Sequence, residues 1–267
     1  MNAIAKANAK LLLKKYCITK PGELDLEGIA NAEHLIVEET ELQTHLGRIM
    51  YGENYGIIKI KSTIKEAGQK RFVLAHEIGH YFNEGVDPIT GQQRKRNEGI
   101  KKCSDKDIYS LQQNKDIETG ANIFASELLM PGEWFNRFIQ KRKFSAELLK
   151  EIADYFRTSL TAGALKYAEL GPVPTAIIMS TSGVVKWSRV NENFPLRFIP
   201  SGYKVNDSSA AYDYYKTKII TNETDNVSAM AWFAEDFNIK HHRDLLLNEY
   251  NIIMSSYDSV LTMLWEC

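Results

Sequence analysis

Residues 71–85 read RFVLAHEIGHYFNEG, an apolar run carrying two histidines and two acids. Phe72, Ala75, Ile78, Gly79 and Phe82 recur at helical spacing and Gly85 supplies a stop, so the run is predicted to be a helix. Side chains four apart on a helix stand one above the other, which aims the imidazoles of His76 and His80 at one point. Zinc accepts two such nitrogens. Glu77, one position on, reaches a water on the ion without taking a ligand place and is the expected general base. A water whose pKa falls towards ~7 on the metal, attacking a carbonyl polarised by the same ion, gives peptide hydrolysis. The plainer reading, two surface histidines and a surface acid, sits poorly with so apolar a helix, because a buried His-Glu-His set needs a compensating partner.

A catalytic zinc requires a third protein ligand and an open fourth position. An extension of the metzincin type puts Gly at position 83 and His at position 86; the sequence has Asn83 and Val86, which excludes it. A second helical stretch, DIETGANIFASELL at residues 116–129, stops at Met130-Pro131 and carries Glu118, Asn122 and Ala125 on one face. Ala121, Ala125 and Gly79 are small enough to let the two helices meet at short range. Glu118 then completes a His-His-Glu metal set, and Asn122 can orient a ligand from behind. Glu84, Asp87 and Asp116 are competing oxygens, and a solvated acid near a helix N-terminus is the plain alternative for Glu118. For a donor that stabilises the tetrahedral intermediate, Tyr51, Tyr55, Arg71 and Tyr81 are candidates by sequence proximity alone, and none is singled out. His241 and His242 are read as surface residues, since adjacent side chains point in different directions.

Before the histidine-bearing helix, residues 2–16 read as an amphipathic helix ended by Pro21-Gly22, Asp25 caps a short helix, and Leu35 to Val37 and Gly56 to Lys61 read as strands. Residues 86–116 are polar and basic and are expected to form a long exposed loop, either recognising a substrate or simply solvated. Helices are expected at residues 132–141 and at 145–170, the latter capped by Ser145 and broken near Thr158. That break resembles a helix-turn-helix, yet Lys150, Arg157 and Lys166 make no phosphate-binding stripe, so helical packing is the expected role. After Gly171-Pro172-Val173-Pro174 the texture turns strand-like at Thr175 to Ser180, Val184 to Val190 and Leu196 to Ile199. The expected fold is α+β: a mainly helical N-terminal domain with a small sheet over residues 1–171, including a trailing helical segment from about residue 132, and a mixed α/β domain over residues 172–267. In the second domain Trp187, Trp232 and Trp265 are expected to fill a core, and a sensor or substrate-docking role is open.

With 33 basic and 34 acidic side chains among 267 residues, the net charge is −1, so there is no overall positive field and direct nucleic-acid binding is not expected. Cys17, Cys103 and Cys267 are odd in number and widely spaced, which fits neither a disulfide framework nor a metal knuckle. No apolar run reaches the ~20 residues that span a bilayer, and the expected location is cytoplasmic, away from membranes.

Taken together, RFVLAHEIGHYF and ETGANIFASELLMP resemble the paired signature of the ImmA/IrrE metallopeptidase family. The matching residues are Arg71-Phe72, His76 to His80, Glu118, Ala121-Asn122, Phe124-Ala125 and Leu128 to Pro131, and the likeness extends over about residues 25–170. The resemblance implies a zincin-like domain in which a thermolysin-like helix pair lies beside a small sheet, zinc as the metal, and a gluzincin-like third ligand matching Glu118. It further implies cleavage of a partner protein, a helix-turn-helix transcriptional repressor or antitoxin, often encoded alongside on mobile elements or in stress operons. The alternative function is a non-proteolytic metal-binding module that sequesters a repressor by contact.

Overall fold

A computed structural model describes residues 2–52, 55–84, 100–103, 116–219, 224–254 and 258–267. The chain is mixed α and β, with two sheets, and divides into two compact units: Met1–Lys141 with Lys150–Ala162, and Arg142–Leu149 with Gly163–Cys267.

In the first unit, helix α1 (Asn2–Lys15) and helix α2 (Leu26–Ala32) precede strands β1 (Leu35–Thr40), β2 (Gly47–Tyr51) and β3 (Gly56–Lys61). Asp25 caps α2 as expected, its carboxylate accepting from the Gly28 amide at 3.0 Å. Helix α3 (Ala67–Glu84) follows, then strand β4 (Ile100–Cys103), helix α4 (Asp116–Leu129) and helix α5 (Gly132–Ile139). The sheet order is β1-β3-β2-β4; β1 runs parallel to β3, and the other pairs are antiparallel. Ile49, Ile58 and Ile60 are buried at alternate positions of β2 and β3. Helix α3 packs against β2, β3, α1 and α4, and every residue from Val73 to Phe82 is buried. A helix buried on all faces is a core helix, and it carries His76, Glu77 and His80 into that core.

Ala121, Phe124, Ala125 and Leu128 are the buried face of α4. It comes close to α3 at Gly79, where an added β-carbon would lie 3.2 Å from the Ala121 Cα and carbonyl oxygen and 3.0 Å from the Phe124 ring. Phe82 and Phe124 stack beside that point with ring centroids 6.1 Å apart. A hydrogen bond from Asn8 Nδ2 to Asn83 Oδ1, 2.9 Å, fastens α1 to the end of α3.

Helix α6 (Ala146–Phe156) starts at Ser145, whose hydroxyl accepts from the Leu148 amide, and helix α7 (Leu160–Leu170) follows a break at 157–159, as the sequence reading expects. The second unit then builds strands β5 (Thr175–Thr181) and β6 (Val184–Val190), helix α8 (Ala210–Thr217), strand β7 (Asp225–Ser228), helix α9 (Met230–Phe233), and strands β8 (Leu246–Met254) and β9 (Ser259–Glu266). They form an antiparallel sheet in the order β6-β5-β9-β8-β7. Ile178, Val260, Leu264, Phe194, Phe233 and Trp232 belong to its core. Glu249, fully buried on β8, accepts from Ser209 Oγ (2.8 Å), the Ala211 amide (3.1 Å), Trp232 Nε1 (3.2 Å) and Asn251 Nδ2 (2.7 Å), which satisfies its buried oxygens.

Three sequence expectations need correction. Strand β2 escapes the sequence reading because it is only five residues long and begins with glycine. Strand β4 lies inside the stretch expected as loop and exists through pairing with β2; the remainder of that stretch, 86–99 and 104–115, is outside the described residues. Leu196 to Ile199 is irregular rather than a strand, because the Asp236 carboxylate takes the amides of Arg197 and Phe198, each at 2.7 Å, that a strand ladder would use.

Candidate metal centre

Helix α3 delivers His76 and His80 on one face, and the glycine-thinned contact with α4 brings Glu118 opposite them. His76 Nε2 and His80 Nε2 are 3.0 Å apart, and Glu118 Oε2 lies 3.3 Å from the first and 3.4 Å from the second. Among the described residues this is the group of three or more His, Cys, Asp or Glu side chains placed to hold a metal. His76 is 0% exposed and His80 1% exposed, so neither imidazole owes its place to solvent.

Asn122, one turn beyond Glu118 on α4, is buried, and its Oδ1 accepts from His76 Nδ1 at 2.9 Å. That bond puts the His76 proton on Nδ1 and leaves the Nε2 lone pair facing His80 and Glu118. Burial is the main cause holding His76 neutral to a lower pH than a free imidazole, aided by the neighbouring His80. Burial, the largest influence on Glu118, acts to raise its pKa, but the adjacent His76 and His80 rings outweigh it and hold the carboxyl well below the usual carboxylate range. A lone pair, a second imidazole nitrogen and a carboxylate oxygen thus converge in a buried space, a grouping that a divalent cation relieves.

The spacing also fits the ion. A tetrahedral zinc at ordinary bond lengths sets its ligand atoms roughly 3.3–3.5 Å apart, close to the observed edges of 3.0, 3.3 and 3.4 Å. Glu77 is 0% exposed and projects from α3 beneath β2, where a β-carbon at Gly47 would fall 2.6 Å from its Oε1.

The structure therefore brings together His76, His80 and Glu118, with Asn122 behind His76 and Glu77 on the same helix. Of the competing oxygens, Asp87 and the side chains of Glu84 and Asp116 lie outside what the structure describes. Arg71 turns elsewhere: it lines a separate cavity with Leu24, Asp25, Leu74 and Arg157, and its Nη2 donates to the Leu24 carbonyl at 3.4 Å. Tyr55 is exposed and Tyr81 buried. Gly47 is the site neighbour that sequence reasoning missed; its only signal was a glycine opening a short alternating run. His241 is exposed and His242 partly exposed, in line with their reading as surface residues.

Comparison with known proteins bears on the same region. The peptidase family described as "IrrE N-terminal-like domain" matches residues 30–166. The radiation response metalloprotease IrrE of Deinococcus radiodurans is 26% identical over 181 residues, covering 68% of this chain and 51% of that protein, so the chain spans about half the length of this curated relative. A solved structure, a Mycobacterium tuberculosis transcriptional regulator, superposes with a TM-score of 0.56 at 10% identity over 99% of this chain and 76% of that one, a likeness of fold alone.

Proposed function

The chain belongs to the ImmA/IrrE metallopeptidase family, and from that premise we propose that it is a zinc-dependent endopeptidase hydrolysing a peptide bond in a protein partner. The observation that carries this reading is the buried triangle of His76 Nε2, His80 Nε2 and Glu118 Oε2, whose edges suit one tetrahedral ion. Those three residues would hold the metal, and Asn122 would fix the tautomer and ring orientation of His76. When bound, zinc supplies Lewis acidity, lowering the pKa of a water towards ~7 and polarising the scissile carbonyl. Glu77 accepts the proton of the attacking water at its carboxylate and passes it to the departing amine nitrogen. Its burial keeps bulk water away from that transfer.

The partner in this reading is a helix-turn-helix repressor or antitoxin, and the arrangement of α3 and α4 beside the four-stranded sheet is zincin-like. In this reading the catalytic part is residues 1–171; the family match ends at residue 166, and the compact units part at Ala162/Gly163. Among the described residues no helix is long and apolar enough to cross a membrane, and the reading includes a cytoplasmic location.

Glu77→Gln tests the reading. It keeps the shape and leaves the three ligands untouched, so zinc content stays at the wild-type level while cleavage of a helix-turn-helix protein encoded beside the gene falls by at least ~100-fold. Wild-type cleavage by this variant removes Glu77 as the base. Relief of repression that survives in Glu77→Gln cells marks the protein as a sequestering module instead.

A further inference from the structure

Strand β2 begins at Gly47, which pairs with Ile60 of β3 on one side and Cys103 of β4 on the other. Its backbone does not call for glycine, since the positive φ glycines among the described residues are Gly183 and Gly202. What the residue supplies is room. A β-carbon there would lie 2.6 Å from Glu77 Oε1, 2.6 Å from Val73 Cγ1 and 3.2 Å from Glu77 Cγ. Val73 and Glu77 are four apart on α3, so the bare strand rests on one stripe of the helix, and the Glu77 carboxylate fills the space that a side chain would take.

We propose that Gly47 is a positioning residue for the general base: the uncovered backbone of β2 is the wall that sets where the Glu77 carboxylate lies beside His76 and His80. The inference rests on the reading of Glu77 as the base. The mobilities of the groups in contact decide what would yield to a larger residue. Strand β2 is held by ladders on both sides, and α3 is packed in the core from Val73 to Phe82. Glu77 Oε1 is the far end of a side chain with three rotatable bonds. An added methyl therefore displaces the carboxylate before it displaces the strand, by about 0.5–1 Å if an ordinary contact distance is to be restored. Misplacement of a catalytic group on that scale costs about 10- to 100-fold in turnover. The three atoms nearest a β-carbon at Gly47 belong to Glu77 and Val73 and not to the metal set, so zinc content is expected to stay at the wild-type level.

The test is Gly47→Ala in the full chain, with Gly47→Ala/Val73→Ala as its companion and Glu77→Gln as the reference. Crystal structures of wild type and Gly47→Ala are compared at Glu77, zinc is measured by elemental analysis, and turnover is read on a proteome-derived peptide library by mass spectrometry. The expected result is a displaced Glu77 carboxylate, unchanged zinc, and kcat down about 10- to 100-fold with KM little changed. Relieving the Val73 contact in the double variant raises thermal stability towards wild type and leaves turnover low, which a purely packing role for Gly47 does not predict. A Glu77 carboxylate unmoved in Gly47→Ala, or turnover restored by Val73→Ala, overturns the proposal; the structural comparison decides even where no library peptide is cut. Should Gly47→Ala alone not fold, the double variant gives the same reading. Failure of the underlying assignment is separate: it shows as wild-type turnover in Glu77→Gln, whatever Gly47→Ala does.

Discussion

At the scale of single residues, the centre depends on where lone pairs point. His76 makes its Nε2 available because Asn122 Oδ1, 2.9 Å from Nδ1, accepts the opposite ring proton inside the core. Removing that acceptor leaves Nδ1–H unpaired and frees the ring to turn. Asn122→Ala is therefore expected to weaken zinc binding by about 10- to 100-fold, measured by competition with a chromogenic chelator, with Asn122→Asp retaining more affinity than Asn122→Ala. Unchanged affinity in Asn122→Ala would show that the ring is oriented by its packing alone. The helical register of HEIGH was legible in the sequence because one spacing rule fixes both histidines, and Asn122 was legible as the residue one turn after Glu118. Gly47 was not, because its meaning comes from a strand laid across α3, a contact between residues 30 positions apart that no local pattern encodes.

At the scale of elements, the close approach of α3 and α4 brings Glu118 to the histidines. Gly79 permits it, and a methyl there meets backbone of Ala121 at 3.2 Å, which cannot swing aside as a side-chain end can. Gly79→Ala is expected to cost about 1–3 kcal/mol of stability in urea denaturation and to lower zinc affinity as the helices part. A stable variant with wild-type zinc affinity would show that the gap is not needed. In the second unit, Asp236 does the work of a strand ladder: its carboxylate accepts from the amides of Arg197 and Phe198 at 2.7 Å and of Asn238 at 2.8 Å. Burial acts to raise its pKa, but these amides and nearby His242 outweigh it and hold the group below the usual carboxylate value. The folded state then binds fewer protons than the unfolded chain as pH falls through the ordinary carboxylate range. Stability is thus present above about pH 4 and is lost as pH drops further. Asp236→Asn should flatten that acid limb in urea melts at pH 3 to 6, and an equally steep limb would contradict the assignment. The mistaken strand at Leu196 to Ile199 has the same origin: the apolar run looked extended, while the acid that claims its amides lies 38 and 39 residues away.

At the scale of the whole molecule, the two compact units differ in how far the sequence reveals them. The family match at residues 30–166 covers the elements that build the metal set, where buried ionisable groups at fixed spacing leave a strong sequence mark. The second unit is an antiparallel sheet whose strands β5, β6, β8 and β9 are held by apolar packing and by the Glu249 network. Such a core tolerates many residue choices, so its sequence states the element type and little about its use. The proposed reading has the chain holding one zinc ion through His76, His80 and Glu118. The most direct measurement is zinc stoichiometry by elemental analysis of the wild type, Glu77→Gln, His76→Ala and Glu118→Ala, purified alike and offered zinc. About one zinc per chain is expected in the first two and sharp loss in the last two. A wild type that takes up no zinc, or a Glu118→Ala variant that binds it as tightly as the wild type, would contradict that reading.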